Sequence, residues 1–249
     1  MLHEHDIVSY MEVVSMIVIT RKGIRTVFIF CIIFLFGTMA LIPNAPFTEA
    51  LADHSVFMES IVVDPGHGGE DGGAVSEDGT EESQVNLEIS HRLRDLFEFS
   101  GQHVYMTRSE DRSLDHGEST IKARKRSDLK SRVELVNSSH ASALITIHQN
   151  SLPTSPVTNG AQVFYNAQPG AAELSGKIQD HLNLVVNQGH PKKTRKSPDI
   201  YLMKHISVPG ILVECGFLSN YEETILLKNP NHQVKLVAAI VSGYLSGRS

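Results

Sequence analysis

The feature that most narrows what this chain can fold into is an alternation, from about residue 60 to the C-terminus, of short apolar runs with apolar stripes at helical spacing. The runs lie at residues 60–64, 103–108, 143–148, 162–165, 200–203 and 210–214, and each predicts a strand. Between them Val85, Ile89, Leu93, Leu96 and Phe97 recur every three or four residues, as do Leu129, Val133 and Val136. Leu174, Ile178, Leu182 and Val185 form a third stripe, and Val234, Val237, Ile240, Val241 and Tyr244 a last one. Strands alternating with amphipathic helices bury their apolar faces as a three-layer α/β domain, here a mostly parallel, twisted sheet of about six strands flanked by helices. No internal repeat or long Gly/Ser linker interrupts the pattern, so one such domain is expected.

In open α/β sheets chemistry gathers beyond the carboxyl ends of the strands. The first run ends in Ile61-Val62-Val63-Asp64 and breaks into Pro65-Gly66-His67-Gly68-Gly69; the third ends in Ile147-His148-Gln149-Asn150; the last passes from Val213 directly to Glu214-Cys215-Gly216. Two His and one Glu are thus predicted at one sheet edge. With 13 His in the chain, any single one is more often a surface or hydrogen-bonded core residue than a ligand. Around His67 that reading is weakened by the glycines, which let the backbone turn tightly beneath a projecting side chain. At His148 and Glu214 it is weakened by the apolar runs before them, because a polar group buried there is costly without a partner.

Other uses of the Gly-rich turn fail. It lacks the Lys and Ser/Thr of a phosphate-binding loop, and Glu70 and Asp71 would repel an anion. There is no G-x-S-x-G elbow and no H-E-x-x-H helix. What remains is a hydrolytic metal site of two His and a carboxylate, the donor set zinc takes in hydrolases while keeping one position for water. A carboxylate outside the metal shell must then move the proton, and Glu214, emerging from an apolar strand that should raise its pKa, suits that task. For the third ligand two candidates stand: Glu70, three residues after His67, and Glu82, at the start of the helix carrying Val85 and Ile89, with Glu81 its neighbour.

Charge and cysteine usage bound the partners. Lys+Arg 22 against Asp+Glu 28 gives a net charge of -6, which argues against a nucleic-acid binder. The 2 Cys, Cys31 and Cys215, supply neither a disulfide framework nor a Cys-rich zinc site. Residues 24–42 form an apolar run with Arg21, Lys22 and Arg25 at its N-terminal side, long enough to cross a bilayer, and Ala50-Leu51-Ala52 has the small-x-small form of a signal-peptidase site. We therefore expect residues 1–52 to be an export signal or membrane anchor, residues 53–249 to be the exported catalytic domain, and Met11 or Met16 to compete with Met1 as the start.

Four segments in order, VVDPGHGGEDGGAV, EESQVNLEIS, ITIHQNS and LVECGFLSNYEE, resemble the zinc-dependent N-acetylmuramoyl-L-alanine amidases of bacterial cell walls (amidase type 3). The resemblance implies zinc ligands His67, Glu82 and His148, selecting Glu82 over Glu81 and Glu70, with Glu214 the catalytic acid/base. It implies hydrolysis of the amide between the lactyl group of N-acetylmuramic acid and the L-alanine of the stem peptide. Within that family the charged stretch 109–126 and IYLMKHISVPGILVECGFLSN are similar to the germination-specific members that act on the spore cortex of endospore formers. That likeness implies action outside the cytoplasm in cortex maturation, on peptidoglycan glycan strands and stem peptides, with a peptidoglycan deacetylase completing muramic-δ-lactam and an accessory activator as partners. Two departures are Gln149-Asn150-Ser151 after the second His, and Cys215, whose side chain should face away from Glu214 and pack.

Lesser expectations concern Arg108 and Arg132, as holders of stem-peptide carboxylates or, for Arg132, a partner of Asp128 or Glu134. The basic run Lys122, Arg124, Lys125, Arg126 reads as a solvated face and Asn220 as a turn residue. Two other functions compete: a metal carboxypeptidase using His67, Glu70 and His148, and a catalytically silent wall-binding protein, which would have lost Glu214 or a ligand.

Overall fold

The computed structural model describes residues 59–197 and 199–247. The export run, the small-x-small site and the boundary after residue 52 lie outside them. No described helix is long and apolar enough to cross a membrane.

Six strands, β1 (Ser60–Pro65), β2 (His103–Met106), β3 (Ala143–Asn150), β4 (Gln162–Tyr165), β5 (Arg195–Lys196) and β6 (Gly210–Phe217), form one sheet in the order β2-β1-β3-β6-β4-β5. All neighbouring pairs are parallel except β4 with β6. The helices are α1 (Glu82–Phe99), α2 (Ile121–Ser138), α3 (Ala171–Val185), α4 (Tyr201–His205), α5 (Tyr221–Lys228) and α6 (Pro230–Ser246). The central strands are apolar on both faces because helices cover both. On one face Ile61, Val63, Ile145, Ile147, Val213 and Cys215 join Ile89, Leu93 and Phe97 of α1 and residues of α3 and α6. On the other, Val62 and Leu144 pack with Val136 of α2 and Leu202 of α4. Cys215 therefore does face away from Glu214. Each of these wholly buried aliphatic side chains stabilises the fold by about 1.5–3 kcal/mol relative to exposure.

The register sets up the site. Asp64 of β1 lies opposite Thr146 of β3, and His148 of β3 lies opposite Glu214 of β6. Parallel neighbours in register share a face, so these four polar side chains stand on the face that carries Val62 and Leu144, at its carboxyl end.

One strand expectation is overturned. Residues 200–203 are not a strand: Tyr201–His205 is a short helix, and the sheet's sixth strand is Arg195–Lys196, paired with Phe164 and Tyr165. The second strand also stops at Met106 rather than Arg108. Helix α5, with Asn220 accepting from Glu223 N at 3.1 Å as its cap, carries no stripe in the sequence reading.

Candidate active site

The Gly-rich turn after β1 is clamped from beneath by two buried arginines. Arg132 on α2 donates to Asp64 Oδ1 (2.6 Å), to the Pro65 carbonyl (2.9 Å) and to the His67 carbonyl (2.6 Å). Arg108 donates to the carbonyls of Pro65 (3.0 Å), Gly66 (3.0 Å) and Ser83 (2.9 Å). Asp64 also accepts from Thr107 and Thr146 hydroxyls, both at 2.6 Å. These bonds hold His67 at a φ of 61°, in the left-handed region that L-residues seldom adopt, and aim its ring over the sheet edge. Both arginines are buried with their donors bonded inside the protein, so they hold the turn together rather than presenting free guanidinium groups to a stem-peptide carboxylate. Arg132 does pair with Asp128, at 2.8 Å.

Glu82, the first residue of α1, comes to the same place because the loop before it satisfies the helix start. Glu82 N donates to the Ala74 carbonyl (2.8 Å) and Ser83 N to the Gly72 carbonyl (3.0 Å), so main-chain oxygens take the place of a capping side chain. The Glu82 carboxylate is almost wholly buried. Its Oε2 accepts from Ala74 N (2.9 Å) and lies 3.2 Å from His67 Nε2. Its Oε1 accepts from Gln149 N (3.1 Å) and Asn86 Nδ2 (3.2 Å) and lies 2.9 Å from His148 Nδ1. The two imidazoles meet edge to face, with centroids 5.0 Å apart.

His67, Glu82 and His148 thus offer one ligand atom each, all within 4.8 Å of one another, enough to hold a metal ion. The donor set, two imidazole nitrogens and one carboxylate, is the one zinc takes in hydrolases. Burial acts against charge on both groups, but the contacts win: bonds to Asp71 and Glu82 push the His67 imidazole up to about 9, and His148 and His67 hold Glu82 well below the usual carboxylate range. Two glycines make room for the cluster. A Cβ on Gly66 would overlap the His148 ring, and one on Gly73 would come 2.5 Å from Glu82 Oε2.

Glu214 stands beside His148 on β6. Its Oε2 is buried with no hydrogen-bond partner, and burial pushes the carboxyl up to about 7, opposed by His148 and reinforced by Glu82. A carboxyl with a free oxygen and a pKa near neutrality can both take and give a proton. His67, His148 and Glu214 line one cleft of about 230 Å³, with Lys125, Arg132 and Met203 among its walls. A larger cavity of about 380 Å³, bounded by Ser76, Val157 and Tyr221, holds none of these groups.

The competing carboxylates lie elsewhere. Glu70 is an exposed partner of Arg124 at 2.6 Å, and Glu81 packs its carboxyl near Gly72. In the basic run, Lys125 reaches Asp71 while Lys122 and Arg126 are exposed. Four contributors escaped the sequence reading: Asp71, 2.9 Å from His67 Nδ1, together with Asn86, Thr107 and Thr146. Asp71 alone had a visible signal, its place four residues after His67 across a glycine turn.

Residues 61–245 match the model of the family described as N-acetylmuramoyl-L-alanine amidase. The germination-specific N-acetylmuramoyl-L-alanine amidase of Bacillus subtilis (strain 168) is 41% identical over 187 residues, covering 74% of this chain and 78% of that protein. The N-acetylmuramoyl-L-alanine amidase LytC of the same strain is 30% identical over 191 residues, covering 76% of this chain and 35% of LytC. Among solved structures, the CwlD amidase from Clostridioides difficile, determined in complex with the GerS lipoprotein, superposes with a TM-score of 0.74 at 38% identity, covering 76% of this chain and 98% of that one.

Proposed function

The chain belongs to the N-acetylmuramoyl-L-alanine amidase family, and from that premise we propose that it is a zinc-dependent amidase of the spore cortex, with His67, Glu82 and His148 as metal ligands and Glu214 as the acid/base. The amidase class and its peptidoglycan substrate come with the family. The observation that carries the metal reading is the buried Glu82 carboxylate lying between His67 Nε2 and His148 Nδ1, beside the unpartnered oxygen of Glu214.

Zinc, when bound, polarises the scissile carbonyl and lowers the pKa of a water to roughly 7. The chain's own residues do the rest. Glu214 takes a proton from the attacking water and delivers it to the departing L-alanine nitrogen, using the oxygen that no protein group occupies. Main-chain amides of Ala74 and Gln149 keep the Glu82 carboxylate oriented, and Arg132 and Arg108 keep the His67 turn from relaxing. The low-dielectric sheet edge keeps Glu214 near neutrality, where donating and accepting are both accessible.

The cortex role rests on the 41% identical germination-specific relative. Residues 1–52 would then deliver the domain outside the cytoplasm as a cleaved signal or as an anchor through residues 24–42. A deacetylase would act on the peptide-free muramic acid to complete muramic-δ-lactam. The complex of CwlD with GerS supports an accessory protein as a partner here too. A carboxypeptidase using Glu70 is disfavoured because that carboxyl sits in an exposed pair with Arg124, and a silent wall-binding role is disfavoured because all four site residues are present.

The test is to digest purified peptidoglycan with the protein and identify products by mass spectrometry. Free stem peptides beginning with L-alanine are expected; release of D-amino acids alone would overturn the reading. Spores made without the protein should lack muramic-δ-lactam, and its undiminished presence would remove the cortex role.

A further inference from the structure

His67 is gripped at both ring nitrogens, and the grip on the second one reaches the rim of the cleft. Resting on the metal reading above, we propose that Asp71 is a positioning residue for the centre and that Lys125 on α2 holds Asp71 in place. A chain His67–Asp71–Lys125 thereby sets how tightly the site binds its metal.

The local fold brings Asp71 to the ring. Gly68 and Asp71 exchange main-chain bonds, Gly68 N to the Asp71 carbonyl at 2.9 Å and Asp71 N to the Gly68 carbonyl at 3.3 Å, closing a tight turn over Gly69 and Glu70. The turn returns the Asp71 carboxylate to 2.9 Å from His67 Nδ1. A carboxylate can only accept there, so it fixes a proton on Nδ1 and reserves Nε2, which lies 3.2 Å from Glu82, as the nitrogen that can exchange its proton for a metal ion. His67 has a left-handed backbone in the turn, and its ring meets the His148 ring edge to face while its two nitrogens lie against Glu82 and Asp71. Arg132 fixes its carbonyl, and Asp71 fixes the orientation of the imidazole.

Asp71 is itself about one-third exposed, 34% for its side chain, so it needs a partner of its own. Lys125 Nζ approaches both of its oxygens, at 3.0 Å and 3.2 Å. The other cations of this helix face are committed: Arg124 to Glu70, Arg132 to Asp64 and Asp128. Lys125 also lines the cleft, so the residue that steadies Asp71 stands in the same wall as His67, His148 and Glu214. The basic run, a solvated face in the sequence reading, contributes one residue to the site through this contact.

The test measures zinc affinity of the full-length protein, stripped of metal and titrated against a chromogenic chelator, in Asp71→Ala, Asp71→Asn, Lys125→Met and Lys122→Met. Asp71→Ala is expected to weaken zinc binding by about 10- to 100-fold. Asp71→Asn should recover part of that loss, because its side-chain oxygen still accepts from Nδ1–H without the charge. Lys125→Met, which removes a half-exposed contact, should weaken binding by about twofold to fivefold, and Lys122→Met should leave it unchanged. The visible absorption of the cobalt(II)-loaded Asp71→Ala protein should differ from wild type, a signature that a purely structural role would not move. Wild-type affinity in both Asp71→Ala and Lys125→Met overturns the proposal while leaving the ligand set intact. Loss in Asp71→Ala with none in Lys125→Met removes Lys125 from the chain. If the wild-type protein binds no zinc, the ligand reading itself fails. Should Asp71→Ala not fold, Asp71→Asn and Lys125→Met decide the matter.

Discussion

The Arg132 guanidinium meets the Asp64 carboxylate at 2.6 Å with both side chains almost fully out of water, 2% and 1% exposed. This pair spans α2 and β1 directly under the His67 turn, and Arg132 spends its remaining donors on Asp128 and on the carbonyls of Pro65 and His67. Breaking it from either side strands a buried charge. Asp64→Asn and Arg132→Met should each cost about 3–5 kcal/mol in urea denaturation. Arg132→Lys should recover less than half, because one ammonium cannot replace a planar fork that bonds four groups at once. A loss under 1 kcal/mol would mean that the turn is held by something else.

The same pair predicts an acid transition. Burial alone would raise the Asp64 carboxyl, but Arg132 and the hydroxyls of Thr107 and Thr146 bring it from 3.8 down to about 2. A folded-state pKa below the unfolded one means that the stabilisation is complete above about pH 4 and is lost as pH falls towards 2, on the order of 2 kcal/mol for this shift. The stability gap between wild type and Asp64→Asn should therefore narrow between pH 4 and pH 2. A gap constant over that window would sink the assignment.

How much of this was legible in the sequence follows from where side chains carry the signal. The first, third and last strands show as unbroken apolar runs because both of their faces are covered, and the ends of those runs located His67, His148 and Glu214. Strand β5 had no such signal: Arg195 and Lys196 are both exposed and are held only through their main chains against Phe164 and Tyr165. The apolar tetrad 200–203 drew the strand prediction in its place, since a five-residue helix is too short to display a period. Spacing left Glu70 and Glu82 as rivals for the third ligand, and resemblance chose between them. What brings Glu82 beside His67 and His148, main-chain carbonyls of Gly72 and Ala74 pinning the start of α1 next to the His67 turn, is a tertiary fact. Arg108 misled in the opposite sense, because a conspicuous cation at the end of the expected strand 103–108 looked like a substrate anchor and proved to be a buried collector of carbonyls.

The glycine before His67 is open to a sharp test. Gly66→Ala adds a Cβ that overlaps the His148 ring, and that ring cannot swing away without leaving Glu82 Oε1 at 2.9 Å. Overpacking of this kind typically costs about 1–3 kcal/mol. We expect the variant to fold, to bind less than one zinc per chain by atomic emission, and to lose most of its activity. Full zinc occupancy would show that the two residues are not in the contact described.

The two rival ligand sets part cleanly on three carboxylates. Glu82→Ala should abolish zinc binding and activity. Glu70→Ala, which removes an exposed pair with Arg124 worth less than about 1 kcal/mol, should keep both. Glu81→Ala should behave like Glu70→Ala, because its side chain makes no cap bond at the start of α1. Zinc loss in Glu70→Ala with retention in Glu82→Ala would restore the carboxypeptidase arrangement.

A substitution at Glu214 tests whether chemistry and metal binding are separable. Its Oε2 touches no protein donor, whereas the three candidate ligands already converge without it. Glutamine has nearly the same shape but cannot accept and return a proton, so Glu214→Gln should retain about one zinc per chain while turnover on peptidoglycan falls by about 10²- to 10⁴-fold. Misfolding can be told apart from this outcome by sign. Burial holds the Glu214 carboxyl near 7, so in the metal-free protein at pH 8 its ionised form weakens the fold. Removing that charge should leave the melting temperature equal to or above that of wild type. Lost zinc in Glu214→Gln would make Glu214 a ligand, and retained turnover would place the proton transfer on another group of the cleft.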